Sequence, residues 1–357
     1  MAGTHRFEAG HLYSVARRMF IASGTSAHIA AAVAEILVNA NLTGHDSHGM
    51  LRIPAYLSRI ADGRIDPAAE PQLVRETSCT LLVDGKNGFG HYTARQAMAW
   101  AIEKARRAEV CCVSLIRTGH IGRLGEYAEQ AARAGCIGLI TTGHAGRGEG
   151  STVPFGGISG ALGTNPIAVG VPTGDDAPFI LDYATSVIAE GKIQVARSKG
   201  VDLPQDYIVD KHGTPSVRPA DFYDGGFLLP FGRHKGYALG VLVSLLGGLS
   251  GNFDFERGVM DGDFMLTMNV STFAPLENYQ RAVRTVLDGV KATPPAPGVD
   301  EVLVPGDPEA RSRARRLADG IELPDSTYQQ IREWAEKLNV SLSEDAIEAA
   351  DAWPPSS

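Results

Sequence analysis

The spacing of apolar and polar positions divides the chain into a helical start, a central region of alternating strands and helices, and a helical end. Near the N-terminus, apolar residues three and four positions apart predict helices over residues 11–22 and 26–42, joined at Gly24. Thr25 or Ser26 is suited to cap the second helix. The apolar face of that helix contains Ile29, Val33, Ile36, Leu37 and Ala40.

Short apolar and β-branched runs predict strands in the middle of the chain, and these alternate with helical patterns. The predicted strands lie at residues 80–83, 110–116, 137–142, 167–171 and 178–181. The predicted helices lie at residues 93–108, 122–134 and 184–197. Strand, helix and strand over residues 110–142 predict a parallel βαβ unit with a right-handed crossover.

The last third of the chain begins with a predicted hairpin at residues 210–213, followed by a glycine-interrupted apolar helix over 237–249 that we expect to be buried. A strand is predicted within residues 261–273. The remaining predicted elements are helices at 277–287, 309–318 and 326–339, a Pro/Gly-rich connector at 293–308 and a frayed tail from residue 353.

The most chemically mixed stretch is residues 44–56, which holds two imidazoles, a carboxylate, a hydroxyl, a guanidinium and a phenol. On one continuous helix, His48, Arg52 and Tyr56 would recur at steps of four and share a face. Pro54, however, is tolerated in a helix only near its first turn. We therefore expect a turn that carries His48, followed by a helix that begins near Arg52, carries Tyr56 and ends at residues 62–63.

The side chains of this stretch suit the handling of a small acid. Arg52 could bind a carboxylate bidentately, Tyr56 could hydrogen-bond it, and His48 could exchange a proton near neutral pH. Ser47 lies beside His48 in sequence, but neighbours on a helix do not face each other, which argues against a nucleophile and base pair.

Further histidines lie in glycine-rich loops after predicted strands. His120 follows the strand at 110–116 in the sequence Thr118-Gly119-His120, and His144 follows the strand at 137–142. Loops at the carboxyl ends of parallel strands are where ligands usually bind, so we expect both imidazoles at one sheet edge. The basic residues that precede the apolar helix are suited to bind an anion at its N-terminus: Arg233, His234 and Lys235.

Composition limits the partners of the 357-residue chain. Its net charge is −8 and it has no Lys/Arg-rich run, which argues against nucleic acid or an anionic membrane as the main partner. No apolar stretch reaches the length of about 18 residues that spans a bilayer, and no signal-peptide pattern is present, so we expect a cytoplasmic protein. Four cysteines without C-x-x-C spacing are interpreted as reduced core residues: Cys79, Cys111, Cys112 and Cys136.

Several standard motifs are missing, among them G-x-G-x-x-G, the P-loop, H-E-x-x-H and G-x-S-x-G. The remaining pattern supports two kinds of enzyme, and a non-catalytic binding protein is less favoured. One is a metal-free enzyme acting on a small carboxylic acid, in which Arg52 binds the acid and a histidine moves the proton. Its glycine-rich loops would hold a phosphate-bearing cofactor. The other is a metal-dependent lyase or hydrolase, with ligands drawn from His45, His48, His120, His144 and Asp182.

Seven sequence blocks resemble the malate/L-lactate dehydrogenase family, which includes ureidoglycolate dehydrogenase, sulfolactate dehydrogenase, diketogulonate reductase and piperideine-carboxylate reductase. The resemblance extends over residues 7–339. Its blocks are residues 45–49 with Arg52 and Tyr56, then 118–120, 153–157, 163–166, 181–184, 234–237 and 295–298.

The resemblance implies an α/β fold of the L-sulfolactate dehydrogenase type. This is a non-Rossmann NAD(P)-binding fold with a mixed sheet and a helical domain formed by the N- and C-terminal segments. It also implies a homodimer whose active site is completed across subunits. We expect a helical segment at 1–75, an NAD(P)-binding region at 76–275, C-terminal helices at 276–350 that pack back on the N-terminal segment, and a frayed tail at 351–357.

The implied reaction is hydride exchange between NAD or NADP and the hydroxyl-bearing carbon of a 2-hydroxy acid, or the imine carbon of a cyclic 2-imino acid. Family members differ over which histidine exchanges the proton. We favour His48 as the residue that exchanges the proton. His120 would hydrogen-bond the substrate oxygen. Arg52 would bind the carboxylate, and Tyr56 would support the bound carboxylate. Ser47 and Asp182 complete the predicted catalytic group.

The resemblance places Asp182 and Lys235 near the nicotinamide. Around the rest of the cofactor it implies His144, Asn165, Tyr183, Ala184 and the loop at 305–307 with Gly306. His144 stands where some relatives carry Ser or Asn, which leaves the choice of NAD or NADP open. Arg123 and Arg147 are candidates for a 2′-phosphate contact, although solvated loop positions are the simpler interpretation. The acid and the physiological direction also stay open.

Overall fold

The computed structural model describes residues 3–175, 177–343 and 353, with the backbone only at 198 and 199. Its helices are α1 (Ala9–Ala22), α2 (Ala27–Leu42), α3 (Ile53–Ala61), α4 (Gly90–Ala108), α5 (Gly125–Arg133), α6 (Glu190–Lys199), α7 (Pro219–Tyr223), α8 (His234–Gly247), α9 (Leu276–Lys291), α10 (Asp307–Asp319) and α11 (Asp325–Lys337). Its strands are β1 (Thr4–Phe7), β2 (Gln72–Glu76), β3 (Thr80–Asp84), β4 (Val110–Ile116), β5 (Cys136–Gly146), β6 (Ile167–Val171), β7 (Phe179–Tyr183), β8 (Ile208–Val209), β9 (Pro215–Ser216), β10 (Phe227–Leu228), β11 (Phe253–Asp254), β12 (Val259–Asn269) and β13 (Ile321–Pro324).

The main sheet has the order β2-β3-β4-β12-β5-β6-β7, with β11 paired to β12. β12 is antiparallel to both of its neighbours, whereas β3 and β4 are parallel. The predicted mixed sheet is therefore present. Because β4 and β5 both oppose β12, they run in the same direction, so the predicted parallel strand-helix-strand unit is present, with β12 inserted between its two strands. β12 comes from more than a hundred residues downstream, and local sequence patterns do not reveal such an insertion.

The N- and C-terminal segments pack together on one side of the sheet. β1 pairs with β13, and one apolar cluster joins α1, α2 and α3 to residues of β13 and α11. Polar contacts add to this packing, since Arg313 of α10 donates to Asn39 of α2 at 2.9 Å and Arg316 pairs with Asp46 at 2.6 Å. The predicted tail at 351–357 lies outside the described residues except for Trp353.

Two helix predictions need correction. The helix expected over 184–197 begins only at Glu190, because the preceding backbone pairs elsewhere: Thr185 N–H donates to Thr164 O and Val187 N–H to Leu229 O, both at 2.8 Å. The apolar helix α8 is not buried all round. Its Gly240 and Val243 side packs on the sheet, while Leu242 and Leu245 are 50% and 58% exposed.

The smaller predictions have mixed outcomes. The hairpin around residues 210–213 is confirmed by the antiparallel pairing of β8 with β9. All four cysteines are free, but only Cys111 and Cys136 are buried, so the core prediction is wrong for Cys79 and Cys112. Within the described residues, the helices are too short or too polar to cross a membrane.

Candidate active site

A pair of short 3-10 turns, Asp46–His48 and Met50–Arg52, leads directly into α3. Pro54 lies in the first turn of α3, as predicted. The buried Asn41 holds the turns to α2, because its Oδ1 accepts from Met50 N–H at 2.8 Å and its Nδ2 donates to Asp46 at 2.6 Å. The predicted turn at His48 and helix at Tyr56 are therefore confirmed.

Ser47 and His48 do face each other, contrary to the sequence argument. The Ser47 hydroxyl and His48 Nδ1 are 2.9 Å apart. The prediction assumed a regular helix, whereas a tight turn brings adjacent side chains together. Arg52 Nε donates to the Ser47 carbonyl oxygen at 2.6 Å, which fixes the guanidinium beside the same turn.

Tyr56 is buried, and its hydroxyl lies among imidazoles. The hydroxyl is 2.6 Å from His120 Nδ1 and 3.3 Å from His91 Nε2. Sequence analysis expected Tyr56 to support the carboxylate held by Arg52, but the hydroxyl instead holds His120. The rings of His48 and His120 stack with centroids 5.6 Å apart and planes 19° apart. His120 is exposed, so a substrate could reach it.

The environment keeps these imidazoles neutral. Burial and, to a smaller extent, the positive charge of Arg52 together lower the pKa of His48 to about 4. Desolvation by the surrounding residues lowers the pKa of His120 well below its ordinary value, assisted by His91, His48 and Arg52. Both rings therefore carry one proton each near neutral pH, and each presents one donor and one acceptor nitrogen.

Asp182 lies behind His48 in a second charged group. Its carboxylate accepts from Gly125 N–H at 2.7 Å and lies 3.6 Å from Arg123 Nε. Burial raises the pKa of Asp182, while Arg123 opposes that shift. His45 pairs with Glu309 of α10 at 3.3 Å, and that contact lowers the pKa of Glu309. Arg123 is 3% exposed, so its interpretation as a solvated loop residue is wrong, whereas Arg147 is exposed as expected.

Among the residues matched to the cofactor, Asn165 and Tyr183 lie at the same end of the paired strands β6 and β7. Asn165 is buried, and its amide bonds His144 of β5 and Gly240 and Ser244 of α8, so its side chain joins these elements. Tyr183, at the end of β7, is exposed and contacts the Phe231 ring just before α8.

Other cofactor positions lie in the same part of the molecule. Ala184 follows Tyr183 directly, and Phe231 N–H donates to Thr185 O at 3.0 Å, so the start of α8 lies beside this strand end. Lys235 is exposed in the first turn of α8. In the part of the chain that the structure describes, Lys235 forms no ion pair or hydrogen bond with Asp182, His48 or His120.

Sequence reasoning missed two residues of the site, His91 and Glu309, and the burial of Arg123. His91 lies in the first turn of α4, and its sequence context carries no signal for a site. Glu309 follows the Gly306 loop closely, which was the available clue. A cavity of about 600 Å³ opens nearby, but its lining reaches the site only at Thr118 and Gly119.

The described residues do not assemble the alternative metal site. Among residues 3–175, 177–343 and 353, no three His, Cys, Asp or Glu side chains are arranged to hold a metal ion. One ring nitrogen of each candidate imidazole already has a protein partner: His45 Nε2 contacts Glu309, His48 Nδ1 contacts Ser47 and His120 Nδ1 contacts Tyr56.

The chain is similar to known proteins in both sequence and fold. A sequence model described as malate/L-lactate dehydrogenase matches residues 7–332. Hydroxycarboxylate dehydrogenase B of Escherichia coli K12 is 35% identical, with 98% of each chain covered. L-sulfolactate dehydrogenase of Methanocaldococcus jannaschii is 35% identical over 88% of this chain and 92% of its own.

Solved structures of related dehydrogenases share the fold of this chain over most of its length. Sulfolactate dehydrogenase from M. jannaschii superposes with a TM-score of 0.87 at 32% identity, covering 96% of this chain and 100% of the other. Malate dehydrogenase from Entamoeba histolytica gives a TM-score of 0.88 at 28% identity, with 95% and 99% covered. These likenesses confirm the predicted fold class and the resemblance on which it rested.

Proposed function

The chain belongs to the malate/L-lactate dehydrogenase family, and from that premise we propose that it transfers a hydride between NAD or NADP and a small 2-hydroxy acid or 2-oxo acid. The observation that carries the proposal is the grouping of His48, His120 and Arg52. Two neutral imidazoles stack at 5.6 Å, and the guanidinium is close enough to lower the pKa of both. Such a grouping offers a cation for a carboxylate, a proton acceptor and a hydrogen-bond donor.

Each residue has a separate role in this proposal. Arg52 binds the substrate carboxylate through its terminal amino groups, since its Nε is already bonded to Ser47 O at 2.6 Å. His48 takes the hydroxyl proton during oxidation and returns it during reduction, and Ser47 holds its ring through Nδ1. His120 hydrogen-bonds the substrate oxygen, and Tyr56 holds His120.

Features of the chain fit a nicotinamide nucleotide beside Asp182. Two buried nitrogens of Arg123, Nε and Nη1, lack hydrogen-bond partners in the described residues, so donors remain available there. The nearby loop is held close by Gly306, which has φ of +100° and where a Cβ would lie 3.1 Å from Pro178 O. Bound there, the nucleotide would supply or accept the hydride.

The nucleotide would be held by Asp182, Tyr183, Ala184 and the Gly306 loop. His144 and Asn165 would shape the adjoining loop. Substrate carboxylate at Arg52 would offset the positive charge that depresses the pKa of His48, so substrate binding favours the protonated ring that reduction requires. The choice between NAD and NADP is left to experiment.

We also propose that the active enzyme is a homodimer. The α8 helix and the 3-10 turn that follows it present Leu242, Leu245 and Leu249 at 50%, 58% and 61% exposure, a row of apolar side chains that a second copy would cover. The exposed Lys235 at the start of the same helix would then be available to the partner's site. Equilibrium sedimentation of wild type and of Leu245→Glu tests this, because the charged variant should be monomeric.

The function is tested by following the absorbance of reduced nicotinamide with purified, EDTA-treated protein. NADH and NADPH are each offered with a panel of 2-oxo acids, including the oxo forms of malate, lactate and sulfolactate, and with cyclic 2-imino acids. We expect oxidation of one nucleotide with at least one 2-oxo acid. Turnover confined to cyclic imino acids would favour the alternative substrate class. Turnover that appears only after a divalent metal is added would contradict the proposal.

A further inference from the structure

His91 has no part in the mechanism above, although its imidazole lies directly beneath the site. It is 0% exposed in the first turn of α4. Its ring centroid lies 5.1 Å from that of Tyr56 and 5.8 Å from that of His120. Nε2 is 3.3 Å from the Tyr56 hydroxyl, whereas Nδ1 is buried without a hydrogen-bond partner among the described residues.

The position of the single proton on His91 follows from this asymmetry. Burial, with smaller contributions from His48 and Arg52, lowers the pKa of His91 to about 3, so the ring is neutral. A proton on Nδ1 would be a buried donor without an acceptor, which is unfavourable. A proton on Nε2 has the Tyr56 oxygen as its acceptor. The Nε2–H form is therefore favoured.

The Tyr56 hydroxyl links the tautomer of His91 to that of His120. Burial raises the pKa of Tyr56 far above its usual range, so the phenol keeps its proton. Since its oxygen accepts from His91, its own proton is donated to His120 Nδ1, at 2.6 Å. A neutral His120 that accepts at Nδ1 must carry its proton on Nε2.

We propose that His91 sets the tautomer of His120 through Tyr56, so that His120 offers an N–H rather than a lone pair to the substrate oxygen. This rests on the proposed function in one respect, namely that the substrate oxygen meets His120. His91 and Tyr56 are then positioning residues. In reduction, the carbonyl carbon gains the hydride and its oxygen gains the proton of His48, while the His120 N–H only hydrogen-bonds that oxygen.

The packing holds His91 in this orientation. Gly122 has φ of +79°, and a Cβ there would lie 2.7 Å from both Cδ2 and Nε2 of His91, so the 118–122 loop can lie on the ring only with glycine. Tyr127 of α5 donates to the His91 carbonyl oxygen at 3.5 Å. The titratable and charged groups around the His91, Tyr56 and His120 series are His48, Arg52, Arg59 and Tyr127.

The tautomer is measured by NMR of protein with ¹⁵N-labelled histidine, without substrate or cofactor. The His120 signals are identified by their loss in His120→Asn. We expect wild-type His120 to show a protonated Nε2 and an unprotonated Nδ1. His91→Leu removes the donor and should give a mixture of tautomers, while His91→Gln, whose amide can donate to Tyr56, should restore the wild-type pattern.

Tyr56→Phe removes only the bridging oxygen and gives the same test if His91→Leu does not fold. The matched control is His11→Leu in α1, which removes another buried imidazole and should leave the His120 signals unchanged. Wild-type His120 protonated on Nδ1, or signals unaffected by both His91→Leu and Tyr56→Phe, would overturn the proposal.

Kinetics provide a second readout. His91→Leu should lower kcat about tenfold with little change in the KM of the nucleotide, and His91→Gln should recover most of that loss. Loss of kcat in His91→Leu without any change of tautomer would show a purely structural role and overturn the proposal. The NMR result stands even if no hydroxy acid is turned over, so failure of the proposed function would be recognised separately.

Discussion

The two imidazoles of the site are held in different ways. His48 Nδ1 is bonded to Ser47, its neighbour in sequence, at 2.9 Å. His120 Nδ1 is bonded to Tyr56 at 2.6 Å, and the two residues are 64 positions apart. The first arrangement depends on one tight turn, whereas the second depends on the packing of α3, α4 and the 118–122 loop. Their chemical roles therefore respond to different changes.

The largest effect should come from His48. Replacing it by Asn removes the proton acceptor, so kcat should fall by about 10²–10⁴-fold. His120→Asn keeps an amide donor near the substrate oxygen, and its loss should be smaller, about 10–10²-fold. Steady-state kinetics at saturating nucleotide measure both. Equal losses in the two variants would remove the distinction between acceptor and donor.

In the proposed mechanism, Arg52 binds the substrate carboxylate and so positions the substrate for both imidazoles. Arg52→Lys keeps the charge but loses the planar fork, so the KM of the acid should rise about 10–100-fold with little change in nucleotide binding. Arg147→Lys, at an exposed loop position, is the matched control and should leave the KM of the acid unchanged. A normal KM in Arg52→Lys would show that another group binds the carboxylate.

The smallest effect should come from the local partner of His48. Ser47→Ala removes one hydrogen bond from a ring that the turn and the stacked His120 still hold, so kcat should fall less than about tenfold. Tyr56→Phe should cost more, because His120 loses its only tautomer-selecting contact among the described residues. The reverse order would mean that the turn, rather than the packing, controls the site.

Local sequence patterns predicted the structural features that depend on residues close together in the chain. The turn at His48 and the start of α3 follow from the position of Pro54, and both were read from the sequence. The pairing of Ser47 with His48 was missed because the argument assumed helical geometry. The resemblance supplied the mixed sheet, whereas local patterns alone indicated only the parallel βαβ unit over residues 110–142.

Features that depend on distant contacts could not be read in this way. The insertion of β12 between β4 and β5 requires pairing across more than a hundred residues. Arg123 is buried beside Asp182 of β7, which is distant in sequence, and the role of His91 depends on its contact with Tyr56. The predicted division at residues 75 and 275 and the cytoplasmic location stay predictions.

The proposal that His48 carries the proton is tested most directly by the pH dependence of kcat/KM. It is measured for hydroxy-acid oxidation and for 2-oxo-acid reduction. The pKa of His48 is lowered to about 4, so the neutral acceptor is present at all higher pH values. For hydroxy-acid oxidation, kcat/KM should be level down to about pH 5 and fall only towards pH 4. For 2-oxo-acid reduction it should rise as pH falls over the same range, because the protonated ring becomes more abundant.

Enzyme returned from each pH to neutral buffer and assayed again shows whether the protein stayed folded. The account predicts that His120→Asn keeps the opposite pH slopes of the two directions and that His48→Asn loses both. An inflection near the ordinary histidine pKa of about 6.5, or slopes that survive in His48→Asn, would contradict it.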